Sequence, residues 1–128
     1  MRKLALSSAL ALLGASLALT PAGAVRRTED AISFKKDVAP IFKASCVKCH
    51  NADRPAAGLD LSTVDGIKKG GSHGKVFVAG KPDKSILIKA ITPRDNGSAY
   101  MPRGAKALEA KQIKLLTQWI TEGPKLDN

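Results

Sequence analysis

The run Cys46-Val47-Lys48-Cys49-His50 constrains this chain more than any other stretch. Two thiols at a CxxC spacing, with an imidazole directly after the second, suit a redox dithiol, half of a zinc site, a small disulfide loop or a covalent attachment site for haem c. A redox dithiol of the thioredoxin kind wants a strand before the motif and a helix after it. Here helical periodicity precedes the motif and turn-forming residues follow. A zinc site wants a second pair of ligands, yet beyond His50 the chain offers only His73 and no third cysteine. The haem reading uses every residue of the motif: Cys46 and Cys49 carry the two thioether links, and His50 meets the iron from one face.

The start of the chain supports that reading. Arg2 and Lys3 precede an apolar run from Leu4 to Leu19, and Thr20-Pro21-Ala22-Gly23-Ala24 ends in a small-x-small pattern. Residues 1–24 therefore read as a secretory signal cleaved after Ala24, the run being short for a bilayer span. No cysteine stands at the cleavage point to carry a lipid. In bacteria haem c is attached to exported apoproteins, so a periplasmic or otherwise exported address and the motif support each other. With both cysteines in the motif, no structural disulfide remains for the fold. Loss of Arg2 and Lys3 with the leader takes the formal charge from +10 to +8, still strongly basic.

The remaining chain predicts one small domain. Residues 25–33 read as a flexible tail, 34–123 as the domain and 124–128 as a second tail. Phe34, Val38, Ile41 and Phe42 fall on one face of a helix that runs into the motif. Pro40 leaves two choices there: a helix starting near Asp37 with Pro40 in its first turn, or one running from Phe34 with a kink. Asn51 to Gly58 predicts a loop under the haem, with a carbonyl near Pro55 holding the second ring nitrogen of His50. Leu59 and Leu61 point inward. Ser62 is expected to cap a short helix that ends at Gly70-Gly71. Gly74 to Gly80 reads as an extended segment along the core. Pro82 and Asp83 open a further helix, with Ile86, Leu87, Ala90 and Ile91 as its buried face.

Thr92 to Lys106 has loop composition, but Met101 lies in its middle as Tyr100-Met101-Pro102, the one methionine besides the initiator. A thioether in so polar a loop has no obvious core to fill. Leu108, Ile113, Leu116 and Ile120 mark the last helix, broadened by Leu115 and Trp119 and stopped by Gly123 and Pro124. Glu109 and Gln112 form an imperfect capping box. Trp119 reads as core. Aromatic residues make up 4% of the chain, a thin supply for so small a core and one that suits an interior completed by a cofactor.

Phe34, Asp37-Val38-Ala39-Pro40-Ile41, Cys46 to His50, Gly58-Leu59-Asp60-Leu61, Gly80-Lys81-Pro82, Ser85-Ile86-Leu87-Ile88, Met101-Pro102 and Trp119-Ile120 together resemble the planctomycete-type cytochrome c domain. The resemblance spans about residues 34 to 123. It implies an all-α, class I-like cytochrome c fold of about four helices around a single covalently bound haem, with the first and last helices packed together. It also implies that Cys46 and Cys49 carry the thioethers, that His50 is the proximal ligand and that Met101 is the distal one. A thioether favours ferrous iron and raises the potential above that of bis-histidine ligation. His73 stands as the competing distal ligand.

The function expected from this reading is one-electron transfer between redox partners, without a substrate of the protein's own. The alternatives are a haem-based sensor or small-ligand binder with a labile distal ligand, and an electron-transfer subunit of a larger oxidoreductase. No distal acid/base pair accompanies the motif, which argues against a self-contained enzyme. The lysines suit redox partner proteins with acidic docking surfaces. Nucleic acid is not an expected partner, and no membrane span is expected after cleavage of the signal.

Overall fold

Ser33 caps the first helical segment: its hydroxyl oxygen accepts from the Lys36 N–H at 3.2 Å while its carbonyl accepts from the Asp37 N–H at 2.9 Å. These bonds satisfy donors that a helix start leaves open. The computed structural model describes residues 31–127; the proposed leader over 1–24 and the first six residues of the tail lie outside the described residues. Phe34–Val38 forms a π-helical turn that runs into α1, Ala39–Ser45, with Pro40 at its N-terminal end. Both choices that the sequence left open are thus combined. The chain is helical from Phe34, and the ladder widens ahead of Pro40, where the missing N–H and the bulky ring would strain a regular one.

Three further helices follow: α2, Val64–Lys69; α3, Ile86–Ile91; and α4, Ala110–Thr121. Among the described residues there is no strand, so the fold is all-α as expected. The cap of α2 differs from expectation. Thr63, not Ser62, accepts from the Gly66 N–H at 3.0 Å, because Ser62 donates both its N–H (2.8 Å) and its hydroxyl (2.5 Å) to Asp60. Gly70, at φ 79°, ends the helix as predicted. Gly66 is required by close approach, since a Cβ there would stand 2.6 Å from the carbonyl oxygen of Asp60.

The buried face of α3 also departs from the periodic reading. Leu87 and Ile91 are buried and Ile88 partly so, but Ile86 is 39% exposed. The cause lies upstream: Pro82–Lys84 forms a separate 3₁₀ turn, and fully buried Ser85 sets where α3 begins. Its hydroxyl accepts from the Val78 N–H at 2.9 Å and donates to the Lys81 carbonyl at 2.9 Å. Buried Val76 accepts from the Leu87 N–H at 3.0 Å and Phe77 is partly buried beside it, so the 75–78 segment lies against the core as a strap.

Leu108 is buried but precedes α4, whose buried residues are Leu116, Trp119 and Ile120. The Glu109 N–H donates to Gln112 Oε1 at 2.9 Å, so the glutamine arm of the capping box forms. The first and last helical segments meet through rings. Phe34 stacks on Trp119 with centroids 5.9 Å apart, and Phe42 and Phe77 meet Phe34 and Trp119 edge-on at 6.1 and 5.1 Å. All three phenylalanines and the tryptophan thus form one cluster, which concentrates a scarce residue type at the joint between the two ends of the domain. The tail closes the same joint: Asp127 accepts from the Ser33 hydroxyl and the Phe34 N–H, each at 2.9 Å. No helix of the described residues is long and apolar enough to cross a membrane.

Candidate haem site

The end of α1 delivers the motif. Cys46 and Val47 N–H groups both bond the Phe42 carbonyl, and the Cys46 carbonyl accepts from Cys49 at 3.1 Å and His50 at 3.0 Å. One compact turn therefore holds both thiols and the imidazole. Asn51 fastens it, its amide donating to the Val47 carbonyl at 2.7 Å while its oxygen accepts from the Arg54 N–H at 2.8 Å. This role was not read from sequence. The signal was an amide side chain four residues after Val47, the spacing at which a side chain meets a helical carbonyl.

His50 Nδ1 lies 3.1 Å from the carbonyl oxygen of Ala56, one residue beyond the predicted position. A carbonyl only accepts, so Nδ1 carries a proton, and the neutral ring in this tautomer has its lone pair on Nε2. The loop that places this carbonyl is itself bonded to the motif, through Ala56 N–H to the Cys49 carbonyl (3.1 Å) and Leu61 N–H to the His50 carbonyl (2.9 Å). Ala57 follows at φ 55°, and its carbonyl accepts from both the N–H and the hydroxyl of Ser72 at 2.8 Å. His73 is exposed, at the tip of the adjoining turn where Gly71 and Gly74 bond each other.

The two thiols differ in setting. Cys46 is half-buried at the edge of the core and Cys49 is exposed. Burial pushes the Cys46 thiol up to about 11, so it is protonated at neutral pH. A redox-active dithiol depends on a lowered thiol pKa, and the burial of Cys46 acts in the opposite direction. Among the described residues there is no cluster of three or more His, Cys, Asp or Glu able to hold a metal ion.

Met101 is half-buried, and its side chain packs against the edge of the hydrophobic core, as Cys46, Val47, Leu59 and Ile88 do. The expectation of a thioether with no core to touch is corrected: the loop is polar, but its middle turns inward. The Met101 N–H donates to the Ala90 carbonyl at 2.9 Å, which ties it to α3, and the Met101–Pro102 bond is cis. A cavity of about 490 Å³ opens beside it, lined by residues of the 94–107 segment including Arg94, Tyr100, Met101 and Arg103. No residue of the Cys46–His50 turn lines that cavity.

The donor set fits haem c. It offers two uncombined thiols on one turn, an imidazole with its tautomer fixed, and a half-buried apolar margin containing a thioether. Residues 46–103 match the family model described as planctomycete cytochrome C. These residues form a planctomycete-type cytochrome c domain. Neither a curated protein nor a solved structure matches the chain. The matched cytochrome c segment begins at Cys46, contains Met101 and ends two residues beyond it, with α1 before it and α4 after it in the chain; Phe34, in the turn ahead of α1, stacks on Trp119 of α4 and meets Phe42 of α1 edge-on. A cytochrome c domain carries a haem-binding, electron-transfer role and favours an electron-transfer protein over an enzyme.

Proposed function

We infer that this cytochrome c domain is an exported one-electron carrier holding a single haem c, with Cys46 and Cys49 as its thioether anchors and His50 and Met101 as its axial ligands. The observation that carries the reading is the bond from His50 Nδ1 to the Ala56 carbonyl, which leaves Nε2 free for iron in the tautomer that a ligating histidine needs. At each anchor the thiol adds across a vinyl group, sulfur joining one carbon and hydrogen the other, so attachment consumes no oxidant. The haem supplies an iron that cycles between ferric and ferrous states by gain and loss of one electron.

The chain's own residues set the conditions for that cycle. The Ala56 carbonyl, accepting from His50 Nδ1, would orient the imidazole, and the Met101 thioether would favour the ferrous state. With His50 and Met101 both held to the iron, small molecules would find no open coordination site. The basic surface, +8 after loss of the leader, would draw acidic redox partners at low ionic strength.

Export-competent expression followed by mass spectrometry tests attachment: one haem added with no free thiols supports the reading, and free Cys46 and Cys49 after export overturn it. The ferric protein should show the weak near-infrared thioether-to-iron band, and the ferrous protein should resist carbon monoxide. Absence of the band with tight carbon monoxide binding would favour the sensor reading with a labile distal ligand.

A further inference from the structure

We propose that Arg94 is a positioning residue for Met101, clamping the loop that presents the thioether. The proposal rests on the assignment of Met101 as an axial ligand and adds what holds it there. Two independent contacts support it. The first is within the loop: the Arg94 N–H donates to the Ser98 carbonyl at 2.9 Å, its Nε meets the same oxygen at 3.3 Å, and its Nη2 donates to the Ser98 hydroxyl at 2.9 Å. Asn96 Oδ1 accepts from the Ser98 N–H and hydroxyl at 3.1 and 2.8 Å, and the Gly97 N–H returns to the Arg94 carbonyl at 2.7 Å. Residues 94–98 are thereby closed into one rigid turn.

The second contact reaches Met101's neighbour. The Arg94 guanidinium carbon stands 4.2 Å from the centre of the Tyr100 ring. Tyr100 is 54% exposed and has no place in the hydrophobic core, so the stacked guanidinium is what fixes its ring. Tyr100 is joined directly to Met101, whose N–H bonds the Ala90 carbonyl on α3. The loop is therefore fastened to α3 at Met101 itself and closed by Arg94 just ahead of it, at Ser98 and Tyr100. On the cavity side Met101 is followed by Pro102, Arg103, Gly104 and Ala105, none of which supplies a hydrogen bond to it. An arginine is suited to this place because its planar fork binds a carbonyl and a hydroxyl while its face stacks on an aromatic ring; lysine does neither in the same geometry.

Arg94 is outside the hydrophobic core and on the surface, so its removal should leave the helices intact. In Arg94→Ala, amide hydrogen exchange across residues 93–104 should accelerate about tenfold while α1 and α4 stay unchanged, in line with the loss of one stacked cation and its surface hydrogen bonds. In the haem-loaded protein the near-infrared thioether band should weaken, and carbon monoxide binding to the ferrous form should speed up by a similar factor. Arg94→Lys should recover part of the exchange protection through the retained cation, and Tyr100→Leu should act non-additively with Arg94→Ala. Faster exchange with an unchanged band and unchanged carbon monoxide binding would overturn the proposal, as would unchanged exchange. A wild-type protein that lacks the band, with a Met101→Ala spectrum identical to it, would instead remove the ligand assignment and the proposal with it.

Discussion

His50 Nδ1 and the carbonyl oxygen of Ala56 lie 3.1 Å apart, and the residue after Ala56 is the one non-glycine residue at positive φ among those described. The imidazole's orientation is thus held by a turn that stores strain at Ala57. An L-residue with a Cβ in the left-handed region costs about 1–2 kcal/mol, and that cost is offset here by the two bonds the Ala57 carbonyl takes from Ser72.

Ala57→Gly should therefore stabilise the protein. Relief of the left-handed strain outweighs the roughly 0.5–1 kcal/mol of added unfolded-chain entropy that glycine brings. The expected net gain is about 0.5–1 kcal/mol, read as a rise in denaturation midpoint with an unchanged slope. A loss of stability would show that this turn is not under strain.

Gly66→Ala should do the reverse. A methyl group there would stand 2.6 Å from both the backbone oxygen and the Oδ2 of Asp60, so backbone must shift. Overpacking of this kind costs about 1–3 kcal/mol. Thermal unfolding would record it, and a variant with wild-type stability would contradict the close approach.

Ser85→Ala leaves the Val78 N–H and the Lys81 carbonyl without their buried partner. Losing a part-buried hydrogen bond of this kind costs about 0.5–1.5 kcal/mol. The loss should concentrate where α3 meets the 75–78 strap, so hydrogen exchange of the Val78 amide should rise more than that of α4. Uniform acceleration would indicate global destabilisation without the local bond.

Acid should weaken the fold through three surface carboxylates. The Ser62 hydroxyl, followed by Thr63, holds Asp60 below the usual carboxylate range; the Ser33 hydroxyl does the same for Asp127, and the Lys111 ammonium for Glu109. A group whose folded pKa is lowered contributes stability that is complete above its unfolded value, about 4, and lost as pH falls through the lower folded one. Asp60→Asn should therefore melt below wild type near neutral pH. The gap should hold constant above about pH 5 and close below about pH 4. Added salt should reduce the Glu109 contribution, which is an exposed ion pair. A gap that persists into acid would mean that the carboxylate charge of Asp60 does not matter.

Much of this molecule was legible in the chain because the signals were local. CxxCH spacing, the apolar stripes of α1 and α4, the stop at Gly70 and the need for a carbonyl near Pro55 all follow from chemistry within a few residues. The misreadings came where partners far apart in sequence or in competition decided the outcome. Ser62 lost the cap of α2 because Asp60 captured its hydroxyl and its N–H. Ile86 turned outward because Ser85 was drawn into the core by Val78 and Lys81. Met101 looked like a thioether without a core because its partners come from other elements.

By itself the sequence determined the helical class and the motif with its two thiols and imidazole, since covalent spacing and periodicity are written along the chain; Met101 entered as the distal candidate through the family resemblance. Tertiary structure alone decided which carbonyl fixes the His50 tautomer, that Cys46 is half-buried while Cys49 is exposed, and that Arg94 closes on Ser98 and Tyr100. Those depend on how the backbone folds back on itself, where a rotation of one residue changes which donor meets which acceptor. Hydrogen bonds and burial are short-range in space but not in sequence, and that is why the motif could be read from the chain and its holding could not.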